Sequence, residues 1–245
     1  MYSGLSVTRV LFTVQILIGG VPQPVFTDDH GYYWVTGVPE SIYQISVMSR
    51  VGRIGVALAI DGLDALEDRP ADLTNPSLQI ITDAYTFRGF RVSDNDIREF
   101  TFGTVEGSAA AQAGRTGSIG TIGIAAWRER PQGVMKVSYA NTHDLHPRGD
   151  AVAAISKAAP SLGTHAGDMQ YDPVHRVTFE RTGGPDVLEI GYNSPVNLDA
   201  MGVTAASNAI KQAYAGYTAT SRVTQQPPAF PGSATPTTGY EKYRR

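Results

Sequence analysis

A short polar segment near the middle of the chain carries the side chains best suited to metal chemistry. His143, Asp144 and His146 offer two imidazoles and a carboxylate, which are ligands for zinc or a harder divalent ion. His165 and Asp168 could join such a set. The segment is loop-like, however, and it lacks the helical spacing of two His residues four positions apart. We therefore expect a solvent-exposed loop, with a metal site as the alternative.

A run of glycines at Gly117, Gly120 and Gly123 superficially resembles a phosphate-binding loop. Its Gly-x-x-Gly-x-x-Gly spacing differs from the dinucleotide fingerprint, and no Lys-Ser/Thr follows as in a P-loop. We interpret these glycines as part of a strand, where a missing side chain lets another backbone or a large side chain lie close.

Two patterns of charged residues could bind a receptor or an anionic ligand. Arg148-Gly149-Asp150 is an integrin-type tripeptide, of a kind that also arises by chance in a turn. Arg88 and Arg91 lie beside aromatic residues and could bind anions or stack on rings. We prefer ordinary ion pairs for these two arginines. Their expected partners are the nearby acidic residues Asp94, Asp96 and Glu99.

The remaining carboxylates and hydroxyls do not form a recognisable catalytic set. Asp61 and Asp64 flank one turn, and Asp94 and Asp96 another, where an Asp side chain bonds its own backbone. A Gly-x-Ser-x-Gly sequence is absent, which excludes a serine-hydrolase elbow. We therefore assign no catalytic, cofactor-binding or metal-binding residue to the chain.

The composition argues against several classes of function. The 245 residues carry a net charge of −3, so there is no basic surplus for binding nucleic-acid phosphates. The absence of cysteine excludes disulfides and thiolate metal sites. The apolar run 10–21 is too short to span a bilayer and lacks the features of a signal peptide. Charged residues make up only 18%, which favours a surface that packs on neighbouring proteins.

Most of the chain is predicted to form β-strands. Residues 53–60 show the clearest alternation, with Ile54, Val56, Leu58 and Ile60 on one apolar face. The other predicted strands are 6–18, 32–36, 41–49, 79–82, 86–92, 98–102, 117–129, 133–140, 176–179 and 187–192. Short helices are predicted at 151–159, at 205–214, and after the N-cap Ser194, ending before Gly202.

Strands at this spacing, without intervening helices, predict an all-β fold, namely an antiparallel, jelly-roll-like β-sandwich. Residues 1–140 form the sandwich core, and residues 141–222 add a loop, two further strands and short C-terminal helices that complete the domain. Residues 223–245 are rich in Pro and Thr without apolar periodicity, which predicts an extended arm able to reach an adjacent subunit. The candidate partner-binding residues are the aromatics of this arm, Phe230, Tyr240 and Tyr243.

Five sequence blocks resemble a known group of proteins. The blocks are Val56–Leu63, Phe87–Ser93, Glu99–Phe102, Gly120–Glu129 and Val177–Arg181. Together they resemble a family of largely uncharacterised proteins of tailed phages and bacterial prophages, over about residues 10 to 203. That family has a serine-rich, Tyr-containing turn between the third and fourth blocks, whereas Glu106–Ala111 here lacks the Tyr. The resemblance implies a phage setting and no catalytic residue.

These observations together predict a structural virion protein rather than an enzyme, made in the host cytoplasm and carried on the phage head as a decoration or head-associated protein. Its expected partners are the major capsid protein or other virion proteins and further copies of itself, with no nucleic acid, membrane or cofactor. The first alternative is a carbohydrate-binding tail or host-attachment protein, with Tyr32, Tyr33 and Trp34 as stacking surfaces. Residues of one strand alternate sides, so at least one of these rings belongs to the core. The second alternative is a metal-dependent enzyme.

Overall fold

In the part of the chain that the structure describes, two sheets of eight strands each form a β-sandwich. The structure, a computed structural model, describes residues 2–131, 160–204 and 229–230. In chain order the elements are β1 (Tyr2–Gly4), β2 (Val7–Thr8), β3 (Phe12–Ile18), β4 (Val21–Pro22), β5 (Val25–Thr27), β6 (Tyr33–Thr36), β7 (Ile42–Ser49), β8 (Ile54–Ile60), β9 (Leu63–Asp64), β10 (Gln79–Ile81), β11 (Ala84–Phe87), β12 (Gly89–Arg91), β13 (Asp96–Gly103), α1 (Ala109–Gln112), β14 (Thr121–Glu129), β15 (Gly163–Tyr171), β16 (Arg181–Asn193) and α2 (Pro195–Ala200).

The two sheets are named here by position. The front sheet has the strand order β1-β5-β6-β16-β14-β8-β10, with β9 paired to β8. The back sheet has the order β12-β13-β7-β3-β2, with β11 on β7, β15 on β13 and β4 on β3. Among the described strands, β6 and β16 form a parallel pair and the other pairings are antiparallel. The predicted all-β sandwich of antiparallel strands is confirmed.

The core lies between the sheets and follows the predicted alternation. On β8 the inward side chains are buried to 1% exposure or less, and those of β7 to 0%. These inward residues are Ile54, Val56, Leu58 and Ile60 on β8, and Tyr43, Ile45 and Val47 on β7. The same apolar cluster takes in Leu162, Leu188 and Tyr192 from the later part of the chain. Residues on both sides of position 141 therefore share one core.

The first predicted strand, 6–18, is two strands in the structure. The backbone N–H of Arg9 donates to the carbonyl of Phe12 at 2.8 Å, which turns the chain between β2 and β3. Val10, which falls inside the predicted strand 6–18, lies in this turn and is 67% exposed. The predicted stop after β3 is confirmed, because Gly19 and Gly20 both adopt the positive φ that a tight hairpin turn requires.

The later strands depart further from the sequence prediction. Residues 163–171, expected within a loop, form the edge strand β15, whose outer half is exposed, including Met169 at 54% and Tyr171 at 71%, so it has no buried apolar face. Residues 176–179, expected to be a strand, are irregular, while β16 begins earlier than predicted at Arg181. The helix capped by Ser194 is confirmed as α2. The predicted strand 133–140 and the predicted helices 151–159 and 205–214 lie outside the described residues.

Candidate functional site

A buried carboxylate occupies the turn that follows β8. Asp61 is 1% exposed and has a φ of +53°, a left-handed conformation that Asp tolerates better than most residues. Gly62 continues the turn with a φ of +80°. The sequence interpretation of Asp61 as a turn residue is correct for its backbone. It does not account for the side chain, which points into the protein.

The Asp61 carboxylate is held by donors from three distant parts of the chain. Its Oδ1 accepts from the Gly120 N–H at 2.9 Å, from the Tyr192 hydroxyl at 2.6 Å and, more weakly, from the Thr121 N–H at 3.4 Å. Its Oδ2 accepts from the Thr164 N–H at 2.8 Å. A buried carboxylate is tolerated only when its oxygens are paired in this way. Asp61 therefore joins β8 to the starts of β14 and β15 and to β16.

The hydrogen bonds extend from Asp61 to the opposite sheet. The Thr164 hydroxyl lies 2.8 Å from the Tyr192 hydroxyl and 2.7 Å from the Tyr43 hydroxyl. Tyr192 belongs to the front sheet, whereas Thr164 and Tyr43 belong to the back sheet. The Tyr43 ring also stacks on Phe102 with centroids 4.1 Å apart. We call Asp61, Tyr192, Thr164 and Tyr43 the Asp61 network. Its hydrogen bonds connect the two sheets through an otherwise apolar core.

Burial dominates the electrostatics of the Asp61 network. Desolvation raises the pKa of Asp61 from 3.8 to about 6, although the hydrogen bond from Tyr192 and those from three backbone N–H groups oppose the shift. Burial, reinforced by the Asp61 charge, also raises the pKa of Tyr43 and Tyr192 well above 10.0. A carboxylate with these properties could act as a base, but with so little exposure it cannot reach a substrate. The Asp61 network therefore stabilises the fold rather than forming a reaction centre.

A second feature is an uncharged surface on the outside of the back sheet. Outward side chains of β2, β3, β7 and β11 line up across the sheet, as the register pairs Thr13 with Met48 and Ser46 with Thr86. We call this surface the uncharged face. It consists of Thr8, Thr13, Gln15, Leu17, Ile42, Gln44, Ser46, Met48, Ala84 and Thr86, none of which is charged. Ile42 and Met48 are 44% and 50% exposed.

A third feature is a row of small residues on the outside of the front sheet. Outward positions of β8 and β14 are occupied by Gly55, Ala57, Ala59, Gly123 and Ala125. We call this row the glycine–alanine trough. Larger side chains from elsewhere in the chain lie in it, namely Leu78, Phe179 and Phe230.

Phe230 is one of the two arm residues that the structure describes. It is 7% exposed, and its ring carbon Cε2 lies 2.6 Å from where a Cβ on Gly123 would be. Because Gly123 has no side chain, the ring rests on the strand backbone, as the structural interpretation of these glycines predicted. The backbone N–H of Ala229 donates to Oε1 of Glu189 at 3.3 Å. The predicted extended arm therefore packs on the domain at Ala229 and Phe230, while Tyr240 and Tyr243 lie outside the described residues.

The structure places the other candidate residues as follows. His143, Asp144, His146 and Arg148-Gly149-Asp150 lie outside the described residues. His165 uses Nε2 to contact the Thr104 carbonyl at 3.0 Å, with its ring against Gly103 and Gly107, and Asp168 is exposed. Among the described residues, no group of three or more His, Asp or Glu side chains could hold a metal ion.

Arg88 and Arg91 form ion pairs as expected, but with a different partner. Each guanidinium lies 3.0 Å from a carboxylate oxygen of Asp172. Asp172 directly follows β15, the strand that the sequence did not predict, and pairing of β15 with β13 brings it to these arginines.

The aromatic run proposed as a sugar surface is used for packing. Trp34 is 4% exposed, lies against Gly191, and packs with Leu198 and Val203 beneath α2. Tyr32 joins the same cluster, and Tyr33 packs against the main core. These rings therefore do not form an exposed stacking platform.

No family model, curated protein or solved structure matches the chain. Neither α1 nor α2, the helices in the described part of the chain, has the length and apolar character needed to cross a membrane.

Proposed function

We propose that this chain is a structural protein of a tailed-phage virion, carried on the outside of the head as a decoration or head-associated protein that contacts the capsid. The uncharged face is the observation that carries this proposal. About a quarter of the residues in an average domain are charged, and protein–protein interfaces are depleted of charge at their centres. A sheet face lined by Thr, Ser, Gln and Met can be covered by a partner without burying an unpaired charge.

The size of the uncharged face determines what kind of contact it can make. Four strands about 4.8 Å apart and about 20 Å long cover roughly 300–400 Å², compared with about 800 Å² per partner in a standard interface. One such contact is weak. On a head, the major capsid protein repeats the same site many times, and an oligomer of this chain would bind several sites together with a large gain in avidity. The proposal therefore includes self-association of the chain on the particle.

A charge placed at the centre of the uncharged face tests the proposal. Ser46 lies on β7 between Gln15 and Thr86, so Ser46→Glu would bury an unpaired carboxylate in the contact. The matched control is Gln170→Glu, which adds the same side chain at an exposed position of β15. In sedimentation with purified heads that lack the protein, we expect Ser46→Glu to bind at least about tenfold more weakly and the control to bind as wild type. Equal binding of all three proteins would refute a contact through the uncharged face.

The two alternatives rest on residues for which the described structure gives no support. The aromatic run needed for glycan stacking is packed inside the chain. The proposed metal ligands His143, Asp144 and His146 lie outside the described residues, so the simplest test is elemental analysis of purified protein. We expect no bound stoichiometric metal, and no change in thermal unfolding when the three residues are replaced together by Ala. A metal lost in that variant would favour the enzyme.

A further inference from the structure

We propose that the glycine–alanine trough is a docking site for the Ala229–Phe230 segment that can be exchanged between copies of the chain. In this arrangement the segment occupies its own trough when the protein is dilute and a neighbouring copy's trough when copies are crowded on a particle. The inference goes beyond the proposed function and does not depend on it, because it concerns only contacts of this chain with itself.

The trough has the properties of a specific site rather than of an incidental contact. Its floor is formed by small side chains on adjacent strands, and the absent side chain of Gly123 leaves the space that the Phe230 ring fills. Glu189, the residue paired with Gly123 on β16, accepts a hydrogen bond from the Ala229 N–H. The site therefore combines an apolar pocket for an aromatic ring with a polar group that fixes the backbone next to it, as peptide-binding sites do.

The sequence around Phe230 suits such a ligand. Pro227, Pro228 and Pro231 flank the docked pair, and prolines restrict the unbound chain so that less entropy is lost on docking.

The covalent length of the chain permits exchange. Val203 packs with Trp34 on β6, which lies two strand positions from β14 and hence about 10–15 Å from the trough. The connecting residues 205–228 are 24 in number and, with the helix predicted at 205–214 and the remainder extended, could span about 60 Å. This connection is several times longer than a path to its own trough requires, so it can equally deliver Phe230 to an adjacent copy.

The strength of the Phe230 contact determines whether the segment docks in the trough of its own chain or in that of a neighbouring copy. Burying one Phe side chain contributes about 2–3 kcal/mol, which corresponds to a dissociation constant of several millimolar or more. A segment tethered to its own domain by a connection of this length has an effective concentration on the order of millimolar. At micromolar protein concentration, docking within one chain is therefore favoured over docking between two chains. Exchange competes only at the local concentrations reached on an assembled particle.

Because the chain contains no cysteine, introduced thiols can report the exchange. One full-length variant carries Ala229→Cys, and a second carries Val187→Cys beside the trough together with Phe230→Ala, so that its own segment cannot dock while Glu189 is retained. The two are mixed at about 1 mM and treated with a short bismaleimide. We expect cross-linked heterodimers in at least about tenfold higher yield than at 10 µM, because exchange needs millimolar copies.

Matched variants assign the cross-link to the trough. Adding Phe230→Ala to the first chain, or Gly123→Ala to the second, is expected to reduce the heterodimer yield about tenfold. Gly184→Ala serves as the control, since nothing lies within 4 Å of its Cβ position and its φ is not positive. A single chain with both Ala229→Cys and Val187→Cys should cross-link internally at 10 µM. The proposal would be overturned if no heterodimers formed at 1 mM. It would also be overturned if Phe230→Ala and Gly123→Ala left the heterodimer yield unchanged.

Discussion

Replacing Asp61 by Asn should change how the stability of the protein depends on pH. The folded-state pKa of Asp61, about 6, lies above its ordinary value of 3.8, so the folded protein holds this proton more tightly than the unfolded chain. The stability that protonated Asp61 contributes is therefore complete below pH 3.8 and is lost as the pH rises through 6. The shift of roughly two pKa units corresponds to about 3 kcal/mol, of which about 2–3 kcal/mol falls between pH 4 and pH 7.

Asn at position 61 removes this dependence of stability on pH but loses a hydrogen bond that the carboxylate makes. It tolerates the φ of +53° at position 61, so the turn is retained. Each carboxylate oxygen of Asp61 accepts from a donor, however, so the amide nitrogen of Asn must face either the Thr164 N–H or the donors at Gly120 and Tyr192. Relative to the carboxylate, an unmade buried hydrogen bond of this kind costs about 1–3 kcal/mol, whereas the protonated Asp61 of the wild type at pH 4 carries an O–H that meets the same donors.

Urea unfolding of the wild type and Asp61→Asn at several pH values between 4 and 7 measures both effects. We expect the free energy of unfolding of the wild type, measured relative to that of the variant, to fall by about 2–3 kcal/mol between pH 4 and pH 7. Burial also raises the pKa of Asp64 and Glu189, but those groups are present in both proteins and cancel in the difference. Asp168→Asn, at an exposed position, is the control. Parallel stability curves for the wild type and Asp61→Asn would refute the claim that Asp61 is buried and ionised at neutral pH.

Three further perturbations test other parts of the structure. Leu58→Asp should abolish soluble expression, because Leu58 is 1% exposed in the core and a buried unpaired carboxylate costs several kcal/mol. The control Ala84→Asp, on the exposed outer face of the back sheet, should remain soluble. Tyr192→Phe should lower the free energy of unfolding at pH 7 by about 1.5–3 kcal/mol, because the Tyr192 hydroxyl donates to the Asp61 carboxylate. Urea unfolding that shows equal stability of the variant and the wild type would contradict this hydrogen bond of the Asp61 network. Truncation after Arg222 should leave a folded domain whose free energy of unfolding falls by less than about 1 kcal/mol, because a tethered contact of millimolar affinity adds little stability. The truncated protein should bind particles less tightly, and full-strength binding would show that the arm makes no contact with the particle.

The sandwich could be predicted because its strands separate apolar from other residues with a period of two. The alternation over residues 54–60 fixed both the strand type and the face that points inward, since a slip by one residue would expose the whole apolar set. The edge strand β15 carries no such pattern, because only its first residues are buried and backbone pairing with β13 holds the rest. Sequence periodicity detects burial, and a strand that is exposed leaves no periodic signal.

The candidate sites were less predictable because their partners are distant in sequence. The donors to Asp61 lie 59 to 131 residues away, so local pattern alone suggested a turn. One signal was available, namely that Asp61 directly follows the most apolar strand of the chain. The docking of Phe230 left a signal in the row of Gly and Ala on β8 and β14, which indicates a close neighbour without identifying it.

The membership of this chain in a virion is tested most directly by quantitative mass spectrometry of purified phage particles separated into heads and tails. The proposed function predicts that the protein is found in the head fraction in many copies per particle and is removed by limited protease treatment of intact heads. Absence from purified particles, or recovery in the tail fraction alone, would contradict it.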